Sequence, residues 1–174
     1  MRILRNILIA VAVIILLFFG IGLLLPRTVT VEREIVIDAP ADEIFPYVNS
    51  LERAAEWSPW LSLDPEAQVV YTGPDEGVGS TLEWMSDTLG TGRQEIVDSV
   101  ENERVVSQLY FVGQGDATAW VDLVPFGEGT EVVWGLQADM GASPIGRWVG
   151  LAVARAIRSD YDEGLQQLKS LVEG

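Results

Sequence analysis

From Ile7 to Leu25 the chain runs for 19 residues without a charge, 17 of them apolar and the other two Gly20 and Gly22. As a helix this run is roughly 28 Å long, close to the ~30 Å hydrocarbon thickness of a bilayer. Core helices of soluble domains keep a polar face, and this run has none. A cleaved secretory signal has an apolar core of roughly 7 to 15 residues that ends at a small-x-small site. Here the run ends in Leu23-Leu24-Leu25-Pro26-Arg27 instead. Residues 1–27 therefore read as an uncleaved transmembrane signal anchor, inserted through residues 7–25, and residues 28–174 as one further domain. Arg2 and Arg5 precede the span, and Arg27 and Arg33 follow it. The positive-inside rule then places the amino terminus in the cytoplasm and the following domain on the extracytoplasmic side of a single-pass topology.

Charge divides at the same boundary. The first 27 residues hold three Arg and no acid, so the remaining 147 carry 8 basic and all 26 acidic residues, a net −18 behind the overall −15. A domain this acidic lacks the basic stripe that releases counterions from a phosphate backbone, so nucleic acid is not an expected partner. The chain has no Cys and no His. That removes disulfides, thiolate nucleophiles, sulfur- or imidazole-bound metals and Ser-His-Asp triads. Any chemistry falls to carboxylates, Arg, hydroxyls or the single Lys169, and neither a metal nor a cofactor is expected.

The pattern after Arg27 is strand-rich. Val29, Val31, Ile35 and Ile37 alternate with Thr30, Glu32, Glu34 and Asp38, which predicts a strand. Ala39-Pro40 breaks it, Asp42 is a candidate cap for a short helix, and a second short helix spans Leu51 to Glu56. These run into the rigid loop Trp57-Ser58-Pro59-Trp60. Further strands are predicted at 68–72, 80–86, 93–98, 104–112, 118–124 and 130–138, spaced by turn residues as in an antiparallel meander. Ser143 and Pro144 then begin a helix reaching about Val172. Its predicted apolar stripe includes Ile145, Trp148, Val149, Ala152, Ala156, Ile157, Tyr161, Leu165 and Leu168, with Arg147, Arg155, Arg158 and Lys169 on the other side.

Strand, two short helices, six strands and a long helix is the order of the helix-grip fold, and residues 29–172 resemble the START and birch-pollen-allergen (SRPBCC) superfamily. Ile35 to Phe45, the Trp57–Trp60 loop, Gly73 to Gly79 before a strand with Trp84, and Gly129 to Trp134 are similar to its bacterial polyketide cyclase/dehydrase-like members. The resemblance implies an α+β helix-grip domain, a seven-stranded antiparallel sheet wrapped around the long C-terminal helix, here preceded by one transmembrane helix. It also implies a cavity between sheet and helix for a lipid, sterol, hormone or polyketide. It brings no universal catalytic motif, so no catalytic residue is carried over.

Hairpin arithmetic assigns the sheet faces. A turn centred on Leu89 sets Trp84 opposite Gln94 and Leu82 opposite Ile96, with Glu83 opposite Glu95 on the other face as a solvated pair and not an acid/base dyad. Pairing about Glu101 sets Ile96 opposite Val106, which favours Val106, Gln108 and Tyr110 as inward residues over Val105, Ser107, Leu109 and Phe111. A turn near Gly127 sets Trp120 opposite Trp134 and Asp122 opposite Val132. Either this set faces the helix or Ala119, Val121, Leu123 and Val133 do, since a slip of one residue exchanges the faces. Candidate ligand contacts are therefore Trp57, Trp60, Trp84, Tyr110, Trp120, Asp122 and Trp134, amphipathic side chains that orient a mostly hydrophobic ligand. Gly77-Val78-Gly79 lies between strands and reads as a turn. Asp160, Asp162 and Glu163 lack calcium-loop spacing, and Lys169, near a helix end, is a poor Schiff-base candidate.

These readings favour a membrane-anchored binding module for a hydrophobic or lipid-like small molecule. The alternatives are a cyclase or dehydratase that uses a pocket carboxylate such as Asp122, and an interaction domain whose cavity has closed.

Overall fold

The computed structural model describes residues 2–113 and 115–174. A helix α1 (Arg2–Leu24) leads into strand β1 (Thr28–Ile37), the short helices α2 (Ala41–Val48) and α3 (Leu51–Ala54), and one 3-10 turn (Leu61–Leu63). Strands β2 (Gln68–Thr72), β3 (Thr81–Ser86), β4 (Gly90–Val100), β5 (Arg104–Phe111), β6 (Gly115–Phe126) and β7 (Gly129–Asp139) follow, then α4 (Pro144–Glu173). All pairings are antiparallel and the spatial order is β1-β7-β6-β5-β4-β3-β2. The six later strands form a meander, and β1 adds to its β7 edge. This is the predicted seven-stranded sheet gripping one long helix.

Local chemistry accounts for the joints. Ser50, not Asp42, supplies a side-chain helix cap, accepting from the Arg53 amide of α3. Pro40 is the N-cap residue of α2, with Asp42 in its first turn, where a carboxylate favours the helix dipole. Ser143 stands at the N-cap of α4 as predicted but makes no side-chain cap bond, and Pro144 takes the first helical turn. Lys169 donates to the Val36 carbonyl at 2.6 Å and pairs with Glu173 at 2.7 Å, while Glu173 accepts from the Asp38 amide. The lone lysine thus ties the end of α4 to the end of β1.

The second half of α4 buries Ala154, Ile157, Tyr161, Leu165 and Leu168 at three- and four-residue spacing. They pack with Val31, Ile37, Val132 and Trp134 of the sheet and Ile44 of α2 into one core. The first half differs from the predicted stripe. There Gly150 faces inward, while Ile145 and Val149 are about half exposed. Gly150 has no room for a side chain, because a Cβ would lie 2.6 Å from Met140 and 2.9 Å from Val29. Close approach of α4 to the start of β1 turns the larger residues outward.

By length and composition α1 is able to cross a membrane. It joins the sheet at a fixed corner, where Met140 donates its amide to the Arg27 carbonyl and Arg27 makes a bidentate pair with Asp139 at 2.7 and 2.8 Å. Hydrogen bonding from Arg27, then from the Gly141 amide, holds the Asp139 carboxyl below the usual carboxylate range.

Candidate functional site

Three turns decide which side chains face α4. Between β6 and β7 the loop is only Gly127-Glu128, with Gly127 at φ 63° in the first central position, where a tight hairpin needs glycine. The pairs become Val121 with Trp134 and Trp120 with Gly135. This half-step from the Gly127-centred register puts the two tryptophans on opposite faces. Ala117, Ala119, Val121 and Leu123 are the buried residues of β6, together with Trp134 of β7. Trp120 lies on the outer face over Gly135, where a Cβ would come within 2.5 Å of three indole atoms. Glycine at that position makes the room the ring needs.

Between β4 and β5, Asn102 takes φ 59°, a left-handed conformation asparagine tolerates. A bulge at Val97 lets Asp98 pair with Val106 and Ile96 with Ser107. The extra residue reverses the predicted face, so Val105, Ser107, Leu109 and Phe111 face inward. Tyr110 is outside, 37% exposed, with the Arg93 guanidinium 4.9 Å from its ring centre. Asp122 is also outside, cross-strand from Arg104 and paired with it at 3.3 Å. Tyr110 and Asp122 are therefore not cavity residues, and both expectations are corrected by the shorter β6–β7 turn and the β4 bulge.

The β3–β4 turn moves the register without exchanging faces. Ser86 accepts from the Thr88 and Leu89 amides and Gly90 at φ 74° closes the turn, so Trp84 meets Gly92 and Leu82 meets Gln94. A two-residue shift preserves parity, and Trp84 points inward as predicted. Glu83 faces Arg93, which pairs with Glu95 at 2.8 Å, so no carboxylate dyad forms.

The inward side chains enclose a cavity of about 150 Å³ between sheet, α4 and the Trp57–Trp60 loop. Trp57 is 2% exposed and fixed by donation from its indole nitrogen to the Tyr47 carbonyl at 3.0 Å. Its ring meets Trp134 edge-on at 4.8 Å, and Trp134 stacks on Tyr161 at 3.6 Å and 4°. At the other end Trp84 meets Phe111 at 5.7 Å, and Trp60 contributes from the loop. Trp57, Trp60, Trp84 and Trp134 thus converge on this cavity. Trp120 borders the cavity only from its own strand position, with its side chain on the far face.

The polar groups on the wall are Gln94, Ser107 and Tyr161, joined by Ser58 at the loop. Gln94 and Ser107 are diagonal neighbours on one face, since Gln94 pairs with Leu109 and Ser107 with Ile96. None of these three has a side-chain hydrogen bond to another described residue. Burial raises the Tyr161 hydroxyl far above its ordinary pKa, so it remains a proton donor across the physiological range. The sequence reading missed Tyr161 as a site residue by placing it simply in the core stripe, and missed Ser107 through the bulge. Among the described residues no Asp, Glu, Lys or Arg lines this cavity. Among the described residues no group of three or more carboxylates is placed to hold a metal.

With Asp122 on the outer face and paired with Arg104, it is not placed to act as a cavity carboxylate.

Comparison with known proteins gives the same architecture. A search of curated proteins finds no match. Among solved structures, the di-domain ARO/CYC StfQ from the steffimycin biosynthetic pathway superposes with a TM-score of 0.61 at 14% identity, over 84% of this chain and 51% of that one. The Aha1 dimer protein from Colwellia psychrerythraea gives 0.58 at 16%, over 83% and 96%. Protein CV1439 from Chromobacterium violaceum gives 0.54 at 20%, over 83% and 97%. At these identities the likeness is one of fold. The family described as polyketide cyclase/dehydrase and lipid transport matches residues 28–173, nearly all of the chain after α1, and this protein belongs to that family.

Proposed function

We propose that the chain is a membrane-anchored binding module in which residues 1–27 hold residues 28–174 against a bilayer, on its extracytoplasmic side, to bind a hydrophobic or lipid-like small molecule. The observation that carries this reading is the cavity wall. Four inward indoles surround a small set of convergent uncharged polar groups, the composition of a site for an apolar ligand with one or two oxygens. Tyr161 donates to such an oxygen, and Gln94 and Ser107 each donate or accept. At about 150 Å³ the cavity is the size that takes a single ring or a short chain segment, so a longer ligand leaves part of itself outside.

Filling the cavity tests this without disturbing the outside. Ala119 lies on the inner face, and Ala119→Phe places a ring in the space the ligand would use. Full-length protein purified in detergent, extracted with solvent and examined by mass spectrometry is expected to release one near-stoichiometric apolar molecule. The variant is expected to lose that molecule while keeping bulk membrane lipids. The same molecule in equal amount from both proteins, with the variant still folded by circular dichroism, would contradict the reading.

A further inference from the structure

We infer that the first half of α4, Pro144 to about Ala156, is a second membrane-embedded element, lying in the bilayer interface beside α1; this rests on the reading of α1 as the anchor. The geometry couples the two helices directly. Trp148 stacks on Phe18 with ring centres 5.4 Å apart and 13° between planes, and its indole nitrogen donates to the Phe18 carbonyl at 3.1 Å. Gly22 is the one buried residue of α1. A Cβ there would stand 2.8 Å from Pro144 and 3.0 Å from Trp148, so glycine is what allows the contact. Phe18 lies inside the uncharged run from Ile7 to Leu25. Any placement of that run in hydrocarbon carries Trp148 into the membrane with it.

Of the two charges in this segment, Arg147 and Arg155, the first is held by α1 through Nη1, while its Nε is buried without a partner among the described residues. Arg147 donates through Nη1 to the carbonyls of Leu23 and Leu25, which the helix terminus leaves without intrahelical partners. The guanidinium therefore caps α1 where the span ends, a position where a cation also favours the helix dipole.

The outward face of the same segment is apolar and uncovered. Ile145, Val149 and Val153 are 53%, 51% and 39% exposed, and Ala152 and Ala156 continue their stripe. The α1 helix that α4 contacts is likewise exposed along nearly its whole length. The next charges along α4 are Arg155 and Arg158, both exposed, before the acids Asp160, Asp162 and Glu163 begin. Apolar residues followed by the two basic residues suit hydrocarbon bounded by lipid phosphates, in a domain otherwise strongly acidic. A bilayer is thus the occupant that fits the stripe.

The placement also orients the cavity. Val29, Ala138, Ala117, Leu109, Gln94 and Leu82 form one cross-strand row, and Trp84 and Phe111 lie beyond it toward the end where α1 joins. The Trp84–Phe111 end of the cavity is accordingly the membrane-facing end, from which a lipid-like ligand would exchange.

Because the chain has no cysteine, single substitutions report position without background. Full-length protein in phosphatidylcholine/phosphatidylglycerol vesicles is labelled with an environment-sensitive fluorophore at Leu16→Cys, Ile145→Cys, Val149→Cys or Gln166→Cys, then quenched by brominated lipid or aqueous iodide. Labels at 16, 145 and 149 are expected to be quenched severalfold more by bromolipid than by iodide, with the reverse at 166. Lipid quenching at 16 together with iodide quenching at 145 and 149 would overturn this inference and leave the anchor standing. Labels at 145 and 149 shielded from both quenchers would overturn it in favour of a protein partner. Iodide quenching at 16 would overturn the anchor reading and this inference with it.

Discussion

Trp134→Ala is expected to be the most damaging single truncation in the domain, costing about 3–5 kcal/mol, as removal of buried aromatic side chains does. For a domain of this size that lowers the thermal midpoint by roughly 10 °C or more. Trp134 is 7% exposed and sits between the face of Tyr161 and the edge of Trp57, so its loss opens the wall joining sheet, helix and loop at once. Neither neighbour is free to collapse into the space. Trp57 is held to Tyr47, and Gly164 already approaches Pro59 and the Trp57 carbonyl. Trp120→Ala makes the comparison sharp. Trp120 covers Gly135 on the outer face, where truncation leaves a groove open to water, and about 1 kcal/mol is expected. Thermal unfolding of both variants in lipid nanodiscs, followed by near-ultraviolet circular dichroism, checks the pair. Equal losses would mean that the two rings share one face.

The double substitution Ile14→Arg/Leu16→Arg is expected to release the protein from the membrane. Both side chains are more than 60% exposed, so nothing in the folded domain depends on them. An arginine near the centre of a span costs about 2.5–3.5 kcal/mol on the insertion scale, so two together cancel most of the favourable insertion energy of the remaining apolar residues in the run. Alkaline carbonate extraction is expected to leave the natural sequence in the pellet and to move the variant to the supernatant. An unchanged pellet fraction would contradict the anchor, and a lost thermal transition would mean that α1 supports the domain's fold.

The element order was legible because it depends on patterns that survive small errors. Alternation over Val29–Asp38, Pro and Gly between strands and a long helical stripe after Pro144 identify the helix grip whichever way each strand faces. The site depends on parity, which a single residue reverses. Placing Trp120 beside Trp134 required knowing that Gly127-Glu128 closes the hairpin alone, and Gly127 with Glu128 and Gly129 reads equally well as a wider turn. Val97 carries no mark of a bulge, since a valine there continues the strand pattern, yet it moves Ser107 inward and Tyr110 outward. Trp84 kept its face only because its register error was an even number. Along α4, apolarity predicts burial from Ile157 to Leu168; at Ile145 and Val149 tight packing of Gly150 on Val29 and Met140 turns apolar residues out.

Photo-crosslinking reads whether the proposed apolar ligand occupies the space between the sheet and α4. Full-length protein in nanodiscs is irradiated with a diazirine-bearing fatty acid, and the adducts are located by peptide mass spectrometry. Adducts are expected on inward residues such as Trp57, Trp84, Ser107, Phe111 and Trp134, competed away by unlabelled fatty acid and absent in Ala119→Phe. Adducts confined to outward residues such as Tyr110, Trp120 and Asp122, or to α1 alone, would contradict that occupancy.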